Sequence, residues 1–345
     1  MFCKAFSLLA FFVLSITVAN AKIWRVNNLI TSADFTTAQA AHDGASRGDT
    51  LHFEPSTSDY GTLIMTKKLV LIGIGDFIGV DTGLQAAITI PKLKNITMNT
   101  GSDSSVIMVN NEGVVINNAY YILIQRCNCM GSINGSAVQY LIVKNCYVQG
   151  GITLYTASVG GVPKGSLNNL ISNNIIPNSY INVDDKSSAT ISNNTIGGGN
   201  MNYAGNVHNC LFQNNIVYTP VYDFTDGVIK NNVFSTPSYN MHFYGNVNTY
   251  STTGGNNNKF SVDMSTVMNN GGNSYGTTTA DAGYQLKAGS VAIAAGVAGE
   301  DCGAFGGGTP YKLAVQPPIP AIYRLTAPSS VGGVIKVTLS TRSNN

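Results

Sequence analysis

The sequence predicts an all-β chain, a right-handed parallel β-helix solenoid with a short N-terminal capping helix. Three observations carry this prediction. A short motif recurs six times, its copies alternate apolar and polar residues, and each copy is interrupted by a pair drawn mainly from Asn and Cys.

The copies are Ile124-Gln125-Arg126-Cys127, Val143-Lys144-Asn145-Cys146, Ile171-Ser172-Asn173-Asn174, Ile191-Ser192-Asn193-Asn194, Phe212-Gln213-Asn214-Asn215 and Ile229-Lys230-Asn231-Asn232. Their starts fall 19, 28, 20, 21 and 17 residues apart. A period of roughly 20 residues built from short strands is the mark of a solenoid. Alternation at period two is strand patterning. Asn tolerates left-handed backbone geometry, so the pair can turn a corner between two strands. One member of each pair can then point inward and stack on its counterpart about 4.8 Å away, one coil on. Side-chain amides in such a column satisfy one another. Cys127, Cys146, Asn174, Asn194, Asn215 and Asn232 are the expected structural ladder. The sequence alone does not decide which Asn of a pair faces inward. Cys127 and Cys146 would sit on adjacent coils with parallel Cβ vectors, poor geometry for a disulfide, so free thiols are expected.

Rival repeats fit less well. No six-residue period is present, the Leu spacing of a leucine-rich repeat is missing, and the lone Trp24 lies outside the repeat, unlike the Trp-Asp signals of propeller blades.

The N-terminus reads as a secretory signal over residues 1–21. Lys4 precedes an apolar run from Phe6 to Val18, and Ala19-Asn20-Ala21 fits a small-x-small cleavage pattern. The expected mature chain starts at Lys22 and is exported to the periplasm, the cell surface or the medium. No later stretch is long and apolar enough for a transmembrane helix. The β-helix domain is expected over 22–308, with 33–48 as its N-terminal cap. Phe35 to Ala41 reads as an Ala-rich helix with Asp34 as N-cap, and Arg47-Gly48-Asp49-Thr50 turns into the strand Leu51-His52-Phe53. A solenoid needs its apolar end covered, and this helix suits that role. Leu69-Val70-Leu71-Ile72-Gly73 reads as a buried strand.

These N-terminal runs resemble the entry of pectate-lyase-like right-handed β-helix proteins. The C-terminal runs Tyr284 to Ser290, Ala292 to Gly296 and Asp301 to Gly307 resemble the close of such domains in exported proteins of Bacteroidetes-type bacteria. The resemblance spans residues 30 to 323. It implies the fold and not a particular activity, because one fold hosts many functions. Residues 309–345 change in composition and contain Pro317-Pro318-Ile319-Pro320. They are expected to form an extended tail that covers or pairs along the last coil, with anchoring or export as a second role.

Composition narrows the function. With 44% hydrophobic residues and a net charge of +2, the chain is neither disordered nor a nucleic-acid binder. A lyase of the resembled family uses acids that hold calcium and a basic residue that takes a proton. No cofactor is otherwise expected, and Ca2+ enters only with a lyase. Between residues 101 and 220 the charged side chains are only Asp103, Glu112, Arg126, Lys144, Lys164, Asp184, Asp185 and Lys186. The catalytic candidates are Asp184, Asp185, Asp223 and Asp226. Asp184 lies 13 residues, and Asp226 14, past its own motif start, which suggests a shared face with one coil between. The bland reading is solvated turn acids. Candidate sugar contacts are Tyr203, Tyr222, Tyr239 and Tyr244, which could stack on rings or simply fill core, and Arg126 and Lys144, which could bind an anion or simply face solvent. The 28-residue gap holds about eight extra residues around Val159-Gly160-Gly161-Val162-Pro163-Lys164-Gly165, a loop placed to wall a groove.

Two function classes follow. The leading one is an exported, monomeric β-helix that binds a polysaccharide or cell-surface glycan without catalysis. The alternative is a polysaccharide lyase or glycoside hydrolase acting on an acidic polysaccharide.

Overall fold

The structure is a computed structural model that describes residues 21–78, 89–197, 205–218, 222–237, 241–247, 256–269, 281–327 and 334–342. The expected signal segment through Asn20 lies outside the described residues. The chain winds into a right-handed-type parallel β-solenoid of about nine turns.

Each coil contributes to three parallel sheets. The first carries the strand that precedes the Asn or Cys pair and stacks Leu123–Gln125, Ile142–Lys144, Asn169–Ser172 and Ala189–Ser192 in register. The second follows the pair and stacks Asn128–Cys129, Tyr147–Val148, Ile175–Ile176, Thr195–Gly197, Ile216–Tyr218 and Val233–Phe234. The third stacks Ile133–Ser136, Ile152–Tyr155, Ile181–Val183 and the opening halves of Gly205–Gln213 and Tyr222–Lys230, and ends with His242–Val247. Inward residues such as Ile124, Val143, Ile171, Ile191 and Phe212 are fully buried in one continuous core. Phe212 stacks on Phe234 at 6.4 Å, and Phe234 on Phe260 at 5.1 Å, so aromatic layers close the far end.

The two members of each pair have different tasks. The first, at Arg126, Asn145, Asn173, Asn193, Asn214 and Asn231, has φ between 49° and 57°. It is the left-handed corner that Asn tolerates best. The second points inward: Asn174, Asn194, Asn215 and Asn232 have no exposed surface. Asn174 Nδ2 donates to Asn194 Oδ1 at 3.0 Å, Asn194 Nδ2 to Asn215 Oδ1 at 3.1 Å, and Asn215 Nδ2 to Asn232 Oδ1 at 3.1 Å. The column continues to Asn258 at 3.0 Å, a member the motif does not reveal. Each Oδ1 also accepts the backbone N–H of the preceding member, and each Nδ2 reaches a strand carbonyl, as Asn194 does at Ile171 O. Both amide N–H bonds and both lone pairs are thus used.

At the other end the column passes to sulfur. Cys146 N–H donates to Asn174 Oδ1 at 3.0 Å, and Cys127 Sγ lies 3.7 Å from Cys146 Sγ without a disulfide.

The helix covering the N-terminal end is Ala38–Gly44, three residues further along the chain than the sequence suggests. Its N-cap is Thr37, whose hydroxyl accepts from Ala40 N–H at 3.2 Å. Asp34 is not the cap, because its carboxylate accepts the Arg25 N–H instead, at 2.8 Å. Phe35 is drawn into a bridge with Val26. Ala38 and Ala41 are buried against the core.

The C-terminal region departs most from expectation. Residues 295–316 are not confined to the last coil. They run back along the outside of the solenoid as a strap, and the left-handed corner residues hold it. Asn231 Nδ2 donates to Ala295 O at 3.0 Å, Asn214 Oδ1 accepts Val297 N–H at 2.9 Å, and Asn193 donates to Asp301 O at 3.2 Å. Asn173 donates to Gly306 O at 2.7 Å, Asn145 to Thr309 O at 2.9 Å, and Arg126 to Gln316 O at 3.3 Å. The strap seals a second core over the outer face of the second sheet, where Tyr147, Ile175, Ile216, Tyr218 and Val233 meet Met264, Met268, Tyr284, Cys302 and Tyr311. Gly303, with φ of 89°, approaches so closely that a Cβ there would stand 2.6 Å from Ile216 Cδ1. Beyond the strap, Ala321–Thr326 and Thr338–Arg342 pair as an antiparallel hairpin.

Candidate functional site

The strap closes the second sheet, which leaves the outer face of the third sheet open. Strand alternation presents two residues per coil there. The register sets Thr153 beside Asn182, Val183 beside Val207, Asn206 beside Asp223 and His208 beside Thr225, and Asp223 beside His242 and Thr225 beside Tyr244. One outward column is therefore Thr153, Asn182, Asn206, Asp223 and His242. The other is Tyr155, Asp184, His208, Thr225 and Tyr244. Across five coils the strip runs about 19 Å, at ~4.8 Å per coil.

A groove of about 340 Å³ lies at the upper end of this strip, lined by Thr153, Tyr155, Asn182, Asp184, Asp185, Asn206 and His208. Among the described residues no Lys or Arg lines it. Tyr155 is 37% exposed and Tyr244 is 52% exposed. Asn182 Oδ1 accepts the backbone N–H of Asn206 at 2.8 Å, which ties the Asn182 amide to the next coil.

The extra residues of the long coil leave directly after this strip. They form the antiparallel pair Ala157–Val159 and Val162–Lys164, closed by Gly160 and Gly161 at φ of 61° and 81°. Two successive positive φ values are what a tight two-residue hairpin turn requires. Lys164 Nζ donates to the Tyr120 hydroxyl and lies 4.7 Å over that ring, so the hairpin folds toward earlier coils. Its base is fixed by Asp184, whose carboxylate accepts the Thr156 N–H at 2.5 Å and the Lys186 N–H at 3.3 Å. Burial pushes the Asp184 carboxyl up. Hydrogen bonds from Ser187, Thr156 and Lys186 outweigh burial and leave it below the usual carboxylate range.

The sequence-derived acids do not converge. Asp184 and Asp185 border the groove. Asp223 lies two coils further on, in the neighbouring column, and its Oδ1 is 2.8 Å from His242 Nδ1. Asp226 is not level with Asp184. It occupies a left-handed corner at φ of 50°, beside a register shift between Thr225 and Gly227, and Thr225 holds the level position. Among the described residues no group of three or more His, Cys, Asp and Glu is placed to hold a metal ion. The acids of the strip do not fit a shared calcium site, since Asp184 faces backbone donors and Asp223 faces His242.

Arg126 and Lys144 lie away from the groove. Arg126 is the corner residue opposite Asn145 and donates to the strap. Lys144 stands in the first sheet between Gln125 and Ser172. Of the four tyrosines singled out, Tyr244 is on the strip. Tyr222 opens a strand opposite Gly205, and Tyr203 and Tyr239 lie outside the described residues. Sequence reasoning missed Tyr155, Asn182 and Asn206. Their signal was present, since Ile152-Thr153-Leu154-Tyr155 and Ile181-Asn182-Val183-Asp184 both alternate apolar and polar residues.

In comparisons with known proteins, the chain matches no family model and no curated protein.

Proposed function

We propose that the chain is an exported glycan-binding protein that holds an extended oligosaccharide along the outer face of its third sheet. The observation that carries this reading is the two-column strip of amide, hydroxyl, imidazole and carboxylate groups, bordered by the exposed rings of Tyr155 and Tyr244. Sugars need such a mixture. Their hydroxyls exchange hydrogen bonds with amides and carboxylates, and their apolar faces stack on aromatic rings. A parallel stack repeats its groups at a fixed rise, so it suits a repeating ligand.

The charge of the strip narrows the ligand. Asp184, Asp185 and Asp223 face it without a lining Lys or Arg. A polyuronate would bring like charge against these carboxylates. Neutral or amino sugars are the favoured class, a change from the acidic polysaccharide of the alternative reading. The resemblance to pectate-lyase-like proteins is consistent with a carbohydrate ligand. It adds no catalytic step.

One observation favours catalysis, the Asp223–His242 pair, which places a carboxylate on an imidazole in the open strip. Titration of the purified chain with neutral, amino-sugar and uronate oligomers separates the readings. Saturable binding of a neutral or amino sugar, weakened about tenfold or more by Tyr155→Ala and by Asn206→Ala, is the expected result. Release of reducing ends, or new absorbance from unsaturated products, would overturn the non-catalytic reading. Preferential binding of uronates would overturn the assigned ligand class.

A further inference from the structure

The hairpin of Ala321–Thr326 and Thr338–Arg342 stands apart from the rest of the molecule. Its base is tied down, with Ala321 buried and Arg342 donating to Gln316 Oε1 at 3.2 Å. The remainder projects. Leu325 and Leu339 face each other across the pair and therefore share one face. They are 58% and 55% exposed, and Val337, which leads into the second strand, is 56% exposed. Arg324 opposite Ser340 and Thr326 opposite Thr338 form the other, polar face. A two-stranded hairpin is marginal alone in water, and an apolar face left open on one marks an interaction surface.

Charge identifies the partner. After Asp301 the chain carries Lys312, Arg324, Lys336 and Arg342 and no acidic side chain. The whole chain has a net charge of +2, so the rest of it is net negative. Self-association through the leucine face would leave the cations of the polar face without a counter-charge. A neutral protein groove would answer the leucines and not the charges. We propose that the hairpin docks on a lipid surface with anionic headgroups, its Leu325, Val337 and Leu339 face entering the acyl boundary and Arg324 and Lys336 meeting the headgroups. This is peripheral attachment of the kind an amphipathic element makes, and it is independent of the glycan strip.

The test is co-sedimentation of the purified full chain with phosphatidylcholine vesicles, with and without phosphatidylglycerol, together with light scattering for mass. Binding is expected only with phosphatidylglycerol, weakened by added salt and roughly fivefold by Lys336→Gln. Lys336 is exposed, so that substitution leaves the fold alone. The double substitution Leu325→Ser with Leu339→Ser should abolish binding and leave the β-rich circular dichroism unchanged. No binding to either vesicle, or equal binding to both, would overturn the proposal. A dimer that the double leucine substitution dissociates would overturn it in favour of self-association.

Discussion

Substituting neighbouring residues of one pair, Asn214 and Asn215, should give opposite answers to the same question: does glycine rescue? Asn215 is inward. Its Oδ1 accepts Asn194 N–H at 2.9 Å and Asn194 Nδ2 at 3.1 Å, and its Nδ2 donates to Ile191 O at 3.0 Å and Asn232 Oδ1 at 3.1 Å. Asn215→Ala leaves the Asn194 N–H buried without its acceptor. Asn194 Nδ2 keeps Ile171 O and Ser192 O, and Asn232 Oδ1 keeps the Asn215 N–H. One fully orphaned donor, at about 1–3 kcal/mol, and two weakened acceptors give a loss of about 3 kcal/mol. Asn215→Gly should cost at least as much, because glycine removes the same amide and adds backbone freedom. Asn214 has φ of 57°, so Asn214→Ala forces alanine into the left-handed region at about 1–2 kcal/mol and loses the strap contact to Val297 N–H. Asn214→Gly keeps only the second loss and should be about 1 kcal/mol better than the alanine. Urea unfolding followed by circular dichroism reads all four variants. The ladder argument is refuted if Asn215→Ala stays within about 0.5 kcal/mol of the parent, and the corner argument fails if glycine does no better than alanine at position 214.

Three further outcomes follow from the same structure. Gly303→Val should lift the strap, because it puts a β-branched residue at φ of 89° into Ile216; proteolysis between residues 295 and 316 should speed up while circular dichroism still shows the solenoid. The five described cysteines are all buried, and burial pushes the Cys210 and Cys302 thiols up to about 12. They should ignore a thiol reagent in the native state and react on unfolding, so rapid native labelling of Cys127 or Cys146 would contradict the buried column. Asp184 is depressed in the fold, so its contribution is present above the usual carboxylate range, about pH 3.9, and is lost as pH falls through the lower folded value. The protection of Thr156 N–H, its exchange relative to the intrinsic rate at each pH, should therefore hold through mild acid and fall only below that range, and Asp184→Asn should remove that acid loss of protection.

The repeat was legible because two independent demands fall on adjacent residues. A left-handed corner favours Asn, and an inward amide column needs Asn at a fixed place in every coil. Only the backbone angle distinguishes the two roles, which is why the pair alone did not say which member turned inward. The strap was less visible, yet its mark stood beside the motif. Ile175-Ile176, Ile216-Val217 and Val233-Phe234 place apolar residues at consecutive strand positions, and consecutive positions face opposite sides of a sheet. A sheet with apolar residues on both sides is covered on both sides. That reading would have required something to lie over the second sheet.

The same parity rule decides where a ligand can go. Counting from each motif start, position 13 belongs to Asp184 and Thr225, and position 14 belongs to Asp226. A shift of one residue turns a side chain to the other face, and at Asp226 it also enters a corner with positive φ. The acid that matched in spacing was therefore lost to the face, while residues without charge, Asn182, Asn206 and Tyr155, were gained. The inserted hairpin, expected to wall a groove, folds toward earlier coils and lines none of it, so the third sheet is where a polar strip and a groove coincide. This coincidence, more than any single acid, makes the strip the place to test.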